Sequence, residues 1–181
     1  MSKILKTVVG FILLLLASFS AFALSDSQRE VLRLAYEAGK PFDLQKATMG
    51  VVYQESLAGL MPPVGDVING CGRRSYGVAQ VQLPAAYDAL RVCPHLDSSL
   101  HTEEEIIARL LTDDEWSVNV AACYLFWINR QGVSWYGTIA SYNRGVSGYR
   151  AGDYNPKYVQ SVLHHIRQGK VKRFMQEEGL E

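Results

Sequence analysis

The sequence predicts a mostly α single domain, and three observations carry that expectation. Helix-start signals recur: Ser25-Asp26-Ser27-Gln28, Thr102-Glu103-Glu104-Glu105 and Thr112-Asp113-Asp114-Glu115 each place a hydroxyl residue three positions before an amide or carboxyl side chain. That pattern satisfies the first unpaired N–H groups of a helix. Behind these starts the apolar residues repeat at three- and four-residue spacing. Glycine and proline then punctuate the segments, at Gly39 with Pro41, at Gly59 with Pro62 and Pro63, and at Gly132.

Taken in order, the chain opens on a processing segment. Lys3 and Lys6 precede an almost unbroken apolar run from Val8 to Ala17, and Ala21-Phe22-Ala23 offers small residues where a signal peptidase reads. The run is short for a membrane span. Residues 1–23 are therefore expected to be a signal peptide, with the mature chain 24–181 exported to the periplasm or secreted. Its length suits one domain with a real core. Lysine plus arginine number 18 against 18 aspartates plus glutamates. Such balance gives no reason to expect a nucleic-acid partner.

After the Ser25 start, Val31, Leu32 and Ala35 mark the first helix. In the second, Leu44, Ala47, Thr48, Val51 and Val52 lead at helical spacing to Glu55. Pro62 to Arg74 reads as loop, with a short hairpin, and Tyr76 to Leu83 alternates weakly. Pro84 opens a short helix through Leu90, and Ile106, Ile107, Leu110 and Leu111 follow the Thr102 start. The longest helix carries Trp116, Val120, Cys123, Tyr124 and Trp127. It is apolar nearly all round, as a buried central helix should be. Trp135 to Tyr142 is a short helix closed by Asn143-Arg144-Gly145. Asn155-Pro156 starts the last long helix, to about Gly169, and the charged tail after Phe174 is expected to fray.

The cysteines are Cys71, Cys93 and Cys123. An oxidising compartment favours pairing. Cys71 and Cys93 lie beside Gly70, Gly72 and Pro94, whereas Cys123 sits in an apolar helix. The expected disulfide is Cys71–Cys93, closing a loop worth about 3 kcal/mol in the chain-entropy model. No spacing resembles a zinc site, and neither metal nor cofactor is expected.

Chemistry gathers on Glu55. Its position beside a buried stripe, just before glycine and proline end the helix, sets a carboxyl at the edge of an apolar wall. Such a group holds its proton to higher pH, as a proton donor in glycosidic cleavage must. Three further stretches follow in order: Gly77-Val78-Ala79-Gln80-Val81-Gln82, Asn119-Val120-Ala121-Ala122 with Tyr124-Leu125, and Ala140-Ser141-Tyr142-Asn143-Arg144-Gly145.

Together, Glu55-Ser56, Gly77-Val78-Ala79-Gln80, the Asn119 helix and Tyr142-Asn143 with Gly145 resemble the lytic transglycosylase SLT domain. This is the lysozyme-like family that cuts peptidoglycan. The resemblance spans about Ala47 to Leu163. It departs at Val78-Ala79, where the family usually carries leucine-methionine, and at Cys123, where the family often has glycine. The resemblance implies a lysozyme-like fold and cleavage between N-acetylmuramic acid and N-acetylglucosamine. Glu55 would be the single acid/base, and the product a 1,6-anhydro sugar. Its implied partners are glycan strands and, as in single-domain members, a secretion, conjugation or pilus assembly machine, with the protein a monomer.

Ser56, Gln80, Tyr142 and Asn143 are the expected substrate-binding residues. Ser56 would bond sugar or the Glu55 carboxyl, and Tyr142 would order the acid through its hydroxyl. Gln80 and Asn143 would offer amides to sugar groups. Trp135 and Tyr136 are candidates for stacking on a sugar face, while Trp116 and Trp127 read as core. Two alternatives stay open. A hydrolytic goose-type lysozyme would use Glu55 with Asp66, the only other acid between Glu55 and Gln80. A catalytically idle wall-binding assembly protein would keep only the fold.

Overall fold

Each helix that the sequence marks out is present in the computed structural model, which describes residues 23–61, 74–96 and 102–180. In chain order they are α1 (Asp26–Gly39), a 3-10 turn (Lys40–Phe42), α2 (Gln45–Ser56), the strand pair β1 (Ser75–Tyr76) and β2 (Val81–Gln82), α3 (Leu83–Val92), α4 (Glu103–Thr112), α5 (Asp114–Asn129), α6 (Trp135–Arg150), α7 (Pro156–Arg167) and α8 (Lys170–Glu178). The fold is mostly α, a single domain. The expected signal peptide lies almost wholly outside the described residues. Among those residues, no helix is long and apolar enough to cross a membrane.

Local chemistry sets the helix starts. Ser25 and Gln28 exchange side-chain and backbone bonds of 3.2 and 3.0 Å, and Thr102 with Glu105 repeats the arrangement ahead of α4. The third start falls one residue later than its sequence pattern suggests. Asp113, not Thr112, caps α5 by accepting from the Trp116 N–H at 2.8 Å. The Thr112 hydroxyl is already bonded to the Ala108 carbonyl at the end of α4.

Helix α5 runs through the centre, packed against α1, α2, α3, α4 and α6. Val118, Val120, Ala121, Ala122, Leu125 and Ile128 on it are completely buried, which explains its all-round apolar sequence. Trp116 is buried in the core and Trp127 packs against it, as read from the sequence. Burial of this kind contributes about 25 cal/mol per Å² of apolar surface removed from water.

Three expectations need correction. The first is the disulfide: Cys93 is bonded to Cys123, not to Cys71. Cys93 caps the C-terminus of α3, and α3 packs on α5, which brings the two Cα atoms to 6.1 Å. The apolar surroundings that marked Cys123 as a lone thiol are the buried interface its partner enters. Cys71 lies outside the described residues. Replacing Cys93 and Cys123 together by alanine is expected to lower stability by about 3 kcal/mol, since the crosslink closes a 30-residue separation. Denaturant melts of the double variant should show that loss.

The second concerns the tail. It does not fray after Phe174; it forms α8, with Val171, Phe174 and Met175 buried at helical spacing. Its acidic end is held by α1: Arg29 meets Glu177 and Glu178, and Arg33 meets Glu178 at 3.1 Å. The third concerns α6. Gly145 does break helical geometry (φ 75°, ψ 160°), but the helix resumes beyond it to Arg150.

Candidate active site

Helix α2 delivers Glu55. Ala47, Thr48, Val51 and Val52 are wholly buried along one stripe, and Glu55 follows one turn later, where that stripe leaves the core. The chain then turns sharply: Leu57 and Ala58 both adopt left-handed backbone, with φ of 53° and 55°. Such conformations are costly for residues with a Cβ and persist where neighbours impose them. Here Gln28 Nε2 donates to the Leu57 carbonyl at 2.8 Å, and the Gly59 N–H donates to Ser56 Oγ at 2.8 Å.

Ser56, expected to bond sugar, does not line the opening beside Glu55. Its hydroxyl is fully buried and donates to the Val78 carbonyl at 2.5 Å, which clamps the end of α2 to the β-turn. The residue after Glu55 on a helix points well away from it, so it faces the core where Glu55 faces the opening.

That opening is a cavity of about 320 Å³. Glu55, Gln80, Tyr142 and Asn143 all line it, so the fold brings together four of the five expected functional residues. Gln80 is held within its turn. Its Nε2 donates to the Gly77 carbonyl at 2.9 Å, and Ser75 Oγ donates to its Oε1 at 3.1 Å. Tyr142 donates its hydroxyl to the Ala79 carbonyl at 2.8 Å, so it supports the turn rather than orienting the acid. Asn143 stands at the α6 break beside Arg144. Trp135 and Tyr136 are not among the residues that line the cavity; its aromatic walls are Tyr124 and Tyr142, with ring centroids 5.6 Å apart.

The residue that orients the acid is Tyr158, which sequence reading missed. It sits in the first turn of α7, where Asn155 accepts from its N–H at 3.2 Å, and its hydroxyl donates to Glu55 Oε1 at 2.6 Å. Gly50 allows α7 this close. A Cβ there would stand 2.6 Å from Ile166 Cδ1. The only signal in the sequence was Tyr158 two positions past the Asn155-Pro156 helix start, and many buried tyrosines share it.

Burial pushes the Glu55 carboxyl up to about 7, against the opposing pull of the Tyr158 hydrogen bond. The Tyr142 and Tyr158 phenols are held well above their ordinary range, first by burial and then by the Glu55 charge. Both remain hydrogen-bond donors across neutral pH. Tyr124 is pushed up to about 12 by burial, with the Asp88 carboxylate adding to it. Asp88 also lines the cavity and was missed as well. Asp66 falls outside the described residues.

Tyr158→Phe supplies a direct check. The hydroxyl favours the ionised acid, so its loss should raise the Glu55 pKa further, by about one unit for a hydrogen bond to a charged group. A pH titration of Glu55 by NMR should show the upward displacement, and a downward one would contradict this geometry.

The ligand atoms of Cys93, His95 and Cys123 lie within 4.8 Å of one another, but the two sulfurs are bonded together. No family model matches the chain, and no curated protein or solved structure matches it either.

Proposed function

We propose that this protein is a peptidoglycan lytic transglycosylase with Glu55 as its single acid/base. The observation that carries the reading is a carboxyl that holds its proton to about pH 7 at the wall of an open cavity, gripped by one tyrosine hydroxyl. A neutral carboxylic acid near neutral pH is the proton donor that a glycosidic oxygen needs. Glu55 first protonates the oxygen between N-acetylmuramic acid and N-acetylglucosamine. As the carboxylate, it then takes the proton of the muramyl 6-hydroxyl while that oxygen attacks C1. The acetamido group stabilises the intervening cation, so no protein nucleophile is needed.

Tyr158 fixes the acid's orientation and stabilises its ionised form between the two proton transfers. Asn143 offers an amide to the sugar, and Tyr142 and Gln80 keep the facing turn in place. Export, action on glycan strands as a monomer, and service to a secretion, conjugation or pilus machine belong to the same proposal and rest on the sequence resemblance.

Digestion of purified cell walls tests it. Release of anhydro-muropeptides, identified by mass, is the expected result. Reducing ends as the main product would make the protein a hydrolase. Equal wall binding by wild type and Glu55→Gln, with no cleavage by either, would leave an idle wall-binding protein.

A further inference from the structure

The cavity carries two charged side chains besides Glu55, on different elements and of opposite sign. Asp88 projects from α3 and Arg144 from the break in α6. Tyr124 on α5 lines the cavity with them. Its phenol feels the Asp88 charge, and its ring packs against Tyr142, two residues before Arg144.

Each charge is set to act on a ligand. The Asp88 side chain is about a fifth exposed (19%) and receives Arg91 Nη2 at 2.5 Å, while Arg91 itself is 73% exposed. Arg91 lies mostly in solvent, which screens the pair, and the Asp88 charge still acts within the cavity on the Tyr124 phenol. Arg144 is exposed and forms no salt bridge with any described residue.

Alternating wall glycans differ in charge from one sugar to the next. N-acetylglucosamine is neutral, whereas the muramyl lactyl group ends in a carboxylate or in a peptide that carries one. An acid next to Asp88 is repelled, and one next to Arg144 is attracted. Discrimination of this sort arises as much from repulsion of the wrong arrangement as from attraction in the right one.

Resting on the reading of this cavity as a glycan-cleaving site, we propose that Asp88 and Arg144 are specificity-determining residues that set the substrate's direction. The acid-bearing muramyl substituent lies on the Arg144 side and the neutral sugar on the Asp88 side. A glycan threaded the other way presents its acid to Asp88 and is disfavoured.

The test uses three ligands on the cleavage-silenced Glu55→Gln chain: a chito-oligosaccharide of N-acetylglucosamine alone, a muropeptide glycan with free carboxylates, and the same glycan with those carboxylates methyl-esterified. Adding Arg144→Gln should weaken the acidic glycan about fivefold, the size of a good exposed ion pair. Adding Asp88→Asn should strengthen it by a similar factor. Both changes should shrink as salt rises. The neutral and esterified glycans should be unaffected, which also shows that the variants are folded.

Equal effects on charged and neutral glycans, or no effect on any, would overturn the assignment. If the starting chain binds none of the three and the wild type cuts no wall, the glycan-cleaving reading fails with it. If the wild type binds and cuts while the charge variants leave the preference unchanged, only the directional assignment fails.

Discussion

Glu55→Gln is expected, on the proposed mechanism, to remove wall cleavage by at least about a thousandfold, because one group would perform both proton transfers. The same substitution should stabilise the protein above neutral pH, and the sign follows from the direction of the shift. Burial raises the folded-state pKa from 4.5 to about 7. Between those values the folded chain holds a proton that the unfolded chain has released. Stability from this group is therefore fully present below pH 4.5 and is lost as the pH rises towards 7.

Gln carries no charge, keeps the shape and still accepts from Tyr158, so it escapes this penalty. At 1.36 kcal/mol per unit the gain at pH 8 is on the order of 3 kcal/mol, and it vanishes below pH 4.5. Denaturant unfolding of both chains across pH 4 to 8 checks this. A Glu55→Gln chain no more stable than wild type at pH 8 would mean that the carboxyl is well solvated. Wild-type activity should in turn fall about tenfold per unit above pH 7, as the acid loses its proton before substrate arrives.

Gly77→Ala is expected to be the most damaging small substitution. Gly77 has a φ of +74°, and a Cβ there would meet the Leu110 carbonyl oxygen at 2.2 Å and Ser117 Oγ at 2.5 Å. Left-handed backbone alone costs about 1–2 kcal/mol for a residue with a Cβ. The clash adds to that cost, because Leu110 contributes backbone of α4 and cannot rotate aside. A loss of about 3 kcal/mol or more is expected in denaturant unfolding.

Activity should fall as well. The turn after Gly77 presents the Val78 carbonyl to Ser56 and the Ala79 carbonyl to Tyr142, so its displacement disturbs both the end of α2 and a cavity wall. Gly132→Ala is the matching control. Its φ is +76°, but nothing lies within 4 Å of the added Cβ, so only the backbone cost of about 1–2 kcal/mol should remain. Equal losses at the two sites would show that φ, and not the approach of α4, decides the effect.

The parts of the fold that sequence reading recovered are those whose cause is local. The Ser25 and Thr102 caps, the helical stripe ahead of Glu55, the break at Gly145 and the buried character of the central helix all follow from residues within a few positions of one another. The tail shows the limit of that reading. Its charges, at Lys172 and Glu177 among others, interrupt Val171, Phe174 and Met175, whose helical spacing marks one buried face. For the site, Glu55 could be named because a carboxyl beside an apolar stripe is visible along the chain.

What only tertiary structure decided is which groups meet across long separations. Cys93 found Cys123 because α3 lies on α5, a matter of packing that local composition cannot express. Ser56 and Tyr142 changed roles because their hydroxyls satisfied carbonyls of the Gly77 turn, and a buried hydroxyl takes whichever partner the fold brings near. Tyr158 reached Glu55 from 103 positions away, through a close contact of α2 and α7 that depends on the missing side chain of Gly50. The sequence by itself determined the helices and the acid. The packing of those helices decided the acid's partner, the walls around it and, through burial, the proton it keeps.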